Sequence, residues 1–91
     1  MIAYLTLEIR IEGAHSIKDK RQVVKSIKDR LRNEFNVSVA EVEAQENRQL
    51  AVLGVAMVSN EAAHVRGALT QIVEALRRHP IAEFLDFELE V

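Results

Sequence analysis

Residues 16–36 have the sequence SIKDKRQVVKSIKDRLRNEFN, and the rest of the chain is arranged around this segment. Its apolar residues recur at helical spacing and form one stripe: Val23, Val24, Ile27, Leu31 and Phe35. Ser16 suits an N-cap because its hydroxyl can accept the backbone N–H of Asp19, and Asn36 suits a left-handed C-terminal cap. The segment is therefore predicted to form one amphipathic helix.

The same helix carries a concentration of positive charge. Seven of the twelve Lys and Arg residues of the chain lie between Lys18 and Arg32. Because successive residues turn by about 100°, five of these cations align in a stripe beside the apolar one. The members of this basic stripe are Lys18, Arg21, Lys25, Lys28 and Arg32.

The basic stripe has a structural and a functional explanation. Solvated helix faces often carry such charges, and Asp29 is placed to pair with two of the cations for a few tenths of a kcal/mol. Against this, Lys18, Lys20 and Arg21 lie at the start of the helix, where the macrodipole disfavours a cation by roughly 0.3–1 kcal/mol. An anionic partner would explain their position, and both explanations stay open at this point.

The composition predicts one globular domain over residues 1–91, because 91 residues suffice for a single core and 48% of them are hydrophobic. The chain has no cysteine, which excludes disulfides, thiol nucleophiles and thiolate metal sites. No apolar run approaches the roughly 20 residues of a membrane span, and no signal peptide is evident. We therefore expect a cytoplasmic protein without a membrane partner.

The net charge of −2 argues against a general binder of polyanions. This average conceals a segregation, because the cations concentrate on the first helix whereas many carboxylates lie on predicted strands. The carboxylates in question are Glu8, Glu12, Glu41, Glu43, Asp86, Glu88 and Glu90. Such a polar distribution allows one anionic partner to bind in one orientation.

Four segments have patterns typical of β-strands: residues 2–12, 37–44, 50–58 and 84–91. A second helix is predicted to begin after Ser59 or Asn60 and to end near His79, where Pro80 stops it. The order βαββαβ with right-handed crossovers gives a ferredoxin-like α+β fold. In this fold a four-stranded antiparallel sheet has both helices on one face, and its first and third strands are central.

The second predicted strand has an irregular pattern. Val37 and Val39 share one parity and Val42 has the other, so a β-bulge near Ala40 or Glu41 is expected. A bulge of this kind is typical of an edge strand. The third predicted strand differs, because LAVLGVAMV is apolar on both parities although the two helices cover only one face of the sheet.

The segment SIKDKRQVVKSIKDRLRNEFNVSVAEV, followed by LGVAMVSN, resembles the YlxP-like family of small bacterial proteins, a domain of unknown function. The resemblance runs the length of the chain and is most specific over residues 16–41. It implies a ferredoxin-like fold and no established reaction. Genes of this family often lie near those for translation initiation and ribosome maturation factors, which favours contact with RNA or the ribosome by association only.

Few residues of the sequence suggest catalytic chemistry. His15, His64 and His79 are scattered, without a second ligand at metal-binding spacing, and no Gly-rich phosphate loop is present. The alternating Asp86, Glu88 and Glu90 place carboxylates about 7 Å apart on one face of a strand, where solubilising an edge is the more common role. We expect no enzymatic activity, no cofactor and no metal.

Nucleic-acid binding is the leading functional hypothesis. The open sheet face is acidic and offers only Tyr4 and Phe84 as aromatics, so base stacking there is disfavoured. We instead expect RNA or the ribosome to dock on the first helix through phosphate contacts. The candidate contact residues are Lys18, Lys20, Arg21, Lys25, Lys28 and Arg32.

An alternative hypothesis concerns the uncovered face of the sheet. Apolar residues of the third strand must lie on that face, and exposed apolar area of this kind usually marks an interface. The simplest assembly that would cover this face is a two-fold homodimer packed through the sheets. Such a dimer would act as a protein-interaction or small-molecule regulatory module.

Overall fold

The computed structural model describes residues 1–90 and contains six regular elements. Their bounds are β1 Ile2–Arg10, α1 Ile17–Glu34, β2 Ser38–Glu43, β3 Leu50–Val58, α2 Ala62–Arg77 and β4 Glu83–Glu90. This order confirms the predicted βαββαβ arrangement. Val91, which was predicted to end the last strand, lies outside the described residues.

The four strands form one sheet in the order β2-β3-β1-β4, and each neighbouring pair is antiparallel. The two central strands are therefore β1 and β3, as predicted. Residues Leu5, Leu7 and Ile9 of β1 share one core with apolar residues of both helices. Both helices therefore cover the same face of the sheet, and the fold is ferredoxin-like. The opposite face is called the open face below.

The start of α1 agrees with the sequence pattern, but its end does not. The Ser16 hydroxyl accepts the Asp19 backbone N–H at 3.1 Å, and the Asp19 carboxylate accepts the His15 N–H at 3.2 Å. At the other end, Phe35 is extended, with φ −133°. A left-handed cap at Asn36 is wrong, because Ala44 is the one residue of positive φ in the described chain.

Two bulges fix which side chains reach the open face. One lies in β2 between Glu41 and Glu43, next to the predicted position on this edge strand. The other shifts the pairing of β4 with β1 between Glu8 and Ile9, and no sequence pattern indicated it. Because of this shift Phe84 pairs with Ile9, on the helix side of the sheet.

The prediction that Phe84 is available on the open face is therefore wrong. Its ring packs against the buried core of the helix side. The guanidinium of Arg77, from α2, lies 5.4 Å from the ring centroid, close enough for a cation–π interaction. Tyr4 is consequently the aromatic that the described open face retains.

His79 organises the turn between α2 and β4. Its Nδ1 accepts the backbone N–H groups of Ile81 at 3.1 Å and Ala82 at 3.0 Å. Burial, and to a smaller extent the positive charge of Arg30, lower the pKa of His79 below its ordinary 6.5. A proton on Nδ1 would remove both hydrogen bonds, so the fold requires the neutral imidazole.

Because the turn depends on neutral His79, we expect the protein to lose stability on mild acidification. The unfolded chain binds a proton at His79 before the folded chain does, so the free energy of unfolding falls as the pH drops below about 6.5. Urea unfolding at about pH 7.5 and pH 5.5 measures the difference. At the higher pH, His79→Ala should be less stable than the wild type. Its free energy of unfolding should also differ less between the two pH values than that of the wild type. His64→Ala, at an exposed position on α2, is the control, and an equal pH difference in all three proteins would contradict the assignment.

Candidate nucleic-acid interface along the first helix

An open groove runs between the outer flank of α1 and the edge strand β2. Four of the predicted cations line its helix side: Arg21, Lys25, Lys28 and Arg32. Its volume is about 590 Å³, and its strand side is formed by Val39, Ala40 and Glu41. The basic stripe therefore does not face bulk solvent alone, because it forms one wall of a concave surface that we call the basic groove.

Asp29 neutralises part of this wall. Its carboxylate accepts a hydrogen bond from Lys25 Nζ at 2.8 Å and lies 3.6 Å from Arg32 Nη1. The hydrogen bond from Lys25 lowers the pKa of Asp29, with smaller contributions from the charges of Lys25, Arg32 and Lys28. These pairs are the ones that the structural explanation of the stripe predicted. They are exposed i,i+4 and i,i+3 pairs, which contribute little to stability.

Arg32 also joins α1 to the sheet edge. Its Nη2 donates to the backbone carbonyl of Val39 at 2.8 Å. A carbonyl on an edge strand is otherwise available to another chain, so this hydrogen bond partly protects the edge. It also holds the Arg32 guanidinium in one position along the basic groove.

Three cations of the predicted set have no carboxylate within 4 Å in residues 1–90: Lys18, Arg21 and Lys28. Lys18 and Arg21 are exposed, and Lys28 is half-buried. Lys18 lies on α1 beyond the groove lining. These three side chains supply the positive charge that the chain itself leaves uncompensated in this region.

Lys20 does not belong to this exposed set. Its side chain is 0% exposed, so its predicted place among the phosphate-contacting residues is corrected. In place of water, the ammonium Nζ donates to the carbonyls of Ala44 at 2.9 Å, Gln45 at 3.2 Å and Leu50 at 3.2 Å. Glu41 Oε2 lies 2.8 Å away and balances the charge.

This buried ammonium shapes one end of the basic groove. Three carbonyls satisfy the three N–H donors of the ammonium, and the Glu41 carboxylate supplies the counter-charge. The contacts tie α1 to the turn between β2 and β3, where Ala44 has φ 58°. Lys20 is thus a structural residue that holds the strand side of the groove against the helix.

Gln45 lies at the groove and was missed by sequence reasoning. It lines the groove beside Glu41, and its Nε2 donates to the Glu41 backbone carbonyl at 3.2 Å. The segment 45–49 is polar and follows an edge strand, which is a general sign of a connection and not of a site. The fold brings Gln45 to the groove through the left-handed turn at Ala44, which the sequence did not indicate.

Three acidic side chains of β4 lie at the other edge of the sheet and are called the acidic row below: Asp86, Glu88 and Glu90. In the pairing of β1 with β4, Glu8 is opposite Asp86, Thr6 is opposite Glu88, and Tyr4 is opposite Glu90. These positions share the open face. Since β2 and β4 are the two outer strands, the acidic row and the basic groove are separated by the width of the sheet. In the described residues no group of three or more His, Asp or Glu side chains is arranged to hold a metal ion.

The fold and this surface define the class: a small ferredoxin-like α+β domain with a basic groove beside its first helix. Residues 2–89 match the family described as "Protein of unknown function (DUF503)". The chain is also 34% identical, over 83 residues, to "Uncharacterized protein YlxP" of Bacillus subtilis (strain 168). That match covers 91% of this chain and 90% of the relative. The chain therefore belongs to the DUF503 family, in agreement with the resemblance seen in residues 16–41.

Neither helix in residues 1–90 is long and apolar enough to cross a membrane. This agrees with the absence of a long apolar run in the sequence.

The buried ammonium gives a stability prediction. Lys20→Met leaves the Glu41 carboxylate and three carbonyls without their partner, so the free energy of unfolding should fall by about 3–5 kcal/mol. Lys18→Met, at an exposed position of the same helix, should change it by less than about 0.5 kcal/mol. Chemical denaturation of the three proteins gives the comparison.

A double variant distinguishes the effect of losing the Lys20–Glu41 ion pair from the effect of losing side-chain volume. Lys20→Met combined with Glu41→Gln should be less destabilised than the sum of the two single changes, because no unpaired charge remains. Equal stability of Lys20→Met and Lys18→Met would contradict the burial of the ammonium.

Proposed function

We propose that this protein is a non-enzymatic binding module that binds RNA, free or within the ribosome, in the basic groove between α1 and β2. The observation that supports this most directly is the convergence of Arg21, Lys25, Lys28 and Arg32 on one concave surface. Two carboxylates also line that surface, but Glu41 is already balanced by Lys20 and Asp29 by two of the cations. The groove therefore retains a positive potential suited to a polyanion.

The spacing of the cations fits a phosphate backbone. Arg21 and Arg32 are eleven residues apart on α1, which corresponds to about 16 Å along the helix axis at 1.5 Å per residue. Their charges therefore extend along one line and do not converge on a single point, as they would around a lone phosphate. Lys and Arg contacts to successive phosphates position an RNA strand without reading its sequence. Gln45, at the end of the groove, is the neutral polar side chain placed to contact a base or a ribose.

The open face is a poor alternative for RNA. Recognition by RRM-type domains requires exposed aromatics on the sheet for base stacking. Phe84 packs on the helix side, and the Tyr4 hydroxyl lies directly over Gly54. The acidic row of β4 borders the same face and would repel phosphates. Charge and shape together favour the groove.

Binding to a structured RNA and to ribosomal subunits tests the proposal. With about four phosphate contacts, the affinity should fall by about 50- to 150-fold between 50 and 200 mM salt. Lys25→Glu combined with Lys28→Glu should abolish measurable binding, because it removes two cations and adds two carboxylates to the groove. Filter binding or fluorescence anisotropy measures both effects.

A matched control makes the same change in net charge at positions outside the groove. Arg66→Glu combined with Arg78→Glu changes one exposed cation of α2 and one that directly follows it, and neither forms an ion pair within residues 1–90. This variant should retain the groove-dependent part of the affinity. Equal loss of binding in the two variants would indicate only a net-charge effect. Absence of binding by the wild-type protein at both salt concentrations would refute the proposed function.

A further inference from the structure

The open face carries an apolar band that the fold leaves uncovered. Seven large hydrophobic residues are exposed in the described chain, and four of them lie on this face: Ile2, Tyr4, Val42 and Val58. Ile2 and Val58 are direct cross-strand partners with 70% and 71% of their surface exposed. Large side chains of this type are not usually clustered on the surface of a monomer.

The rest of the band, Tyr4 and Val42, packs closely over Gly54 on the open face. The Tyr4 ring lies over Gly54, where a side chain larger than hydrogen would meet the tyrosine hydroxyl and a methyl group of Val42. Val52, on the same face, is only 3% exposed because its neighbours cover it. The uncovered apolar area is therefore concentrated at Val58 and Ile2 and not at Val52.

We propose that this apolar band is the interface of a two-fold homodimer in which the open faces of two copies pack on each other. The inference is argued independently of RNA binding, because the cations of the basic groove lie on α1, on the other side of the sheet. Four strands about 4.8 Å apart and about 27 Å long cover about 500 Å² per copy. The dimer then buries about 1,000 Å², which is near the lower limit for a specific interface, so the association should be reversible.

The charge pattern selects the orientation of the two copies. With a two-fold axis parallel to the strands, β1 of each copy lies over β3 of its partner, and β4 lies over β2. Val58 then packs on the partner's Ile2, and Ala56 packs on the partner's Tyr4, which places apolar surface on apolar surface. Glu90 and Glu88 of β4 lie over the partner's Ser38 and Ala40, which are uncharged, and Asp86 lies over the partner's Glu43.

An axis perpendicular to the strands is disfavoured by the same residues. It would place β4 over β4, so that Glu88 and Glu90 of both copies would face each other. Like charges brought together across an interface oppose association. The acidic row therefore opposes this axis more strongly than the parallel one, in which only Asp86 and Glu43 bring like charges together.

Sedimentation equilibrium tests the dimer. The wild-type protein should dimerise with a dissociation constant of about 1–100 µM, and Val58→Lys and Ile2→Lys should each weaken it at least about tenfold. Both sites are more than two-thirds exposed, so the substitutions should leave the circular dichroism spectrum unchanged, and the thermal midpoint too when it is measured in solutions dilute enough to be monomeric. Ile81→Lys, at another exposed apolar residue outside the open face, should dimerise like the wild type.

A wild-type protein that stays monomeric at about 300 µM would overturn the proposal. Dimerisation that is unaffected by both Val58→Lys and Ile2→Lys would place the interface elsewhere and would overturn it equally. RNA affinity measured on the same variants separates the two proposals, since Val58→Lys leaves the basic groove intact and Lys28→Glu leaves the open face intact.

Engineered disulfides test the orientation, because the natural chain has no cysteine. Thr6 and Gly54 are directly paired, and they place Ala40 and Glu88 in the same row across the sheet. Under the proposed axis, Ala40→Cys protein mixed with Glu88→Cys protein should form a mixed disulfide. Glu88→Cys alone should not cross-link to itself. The opposite result, self-linking of Glu88→Cys without the mixed product, would overturn the proposed axis.

Discussion

The ammonium of Lys20 is enclosed between α1 and the turn that follows β2, where it donates to three backbone carbonyls and balances the Glu41 carboxylate. A buried cation is tolerated only when its charge and all its donors are satisfied, so α1, β2 and the turn must keep their relative positions. Those positions define the basic groove. The core of Leu, Ile and Val residues drives folding, but this polar contact sets how the first helix lies against the sheet edge.

The strand order then separates two surfaces of opposite character. Because β2 and β4 are the outer strands, the basic groove lies at one edge and the acidic row at the other. The open face between them is apolar at Ile2 and Val58, which the helices cannot reach. One small domain can therefore bind a polyanion on its helix side and a second copy on its sheet side, and Ala40 is the residue that borders both surfaces. A dimer of this kind would present two basic grooves on its outer surfaces.

The periodic features of the sequence predicted the fold well. Alternation in β1 and the helical spacing of Val24, Ile27 and Leu31 identify the buried faces because local geometry alone sets them. The place of Lys20 depends instead on carbonyls 24 to 30 residues away, which no local pattern reveals. The β4 bulge reverses the face of Phe84 for the same reason, since strand register is a property of the paired strands. Gln45 reaches the groove only because Ala44 adopts a left-handed conformation. The basic stripe was visible in the sequence, whereas the strand wall that turns it into a groove was not.

The most direct test of binding in the groove is an amide NMR titration of the wild-type protein with a short structured RNA. Binding in the groove predicts that shifts concentrate on residues 18–32 of α1, on Val39–Glu41 and on Gln45. The amides of Asp86, Glu88 and Glu90, at the far edge of the sheet, should not move. Shifts confined to β4 and to the open face around Tyr4, or no shifts at an RNA concentration that saturates binding by other methods, would contradict it.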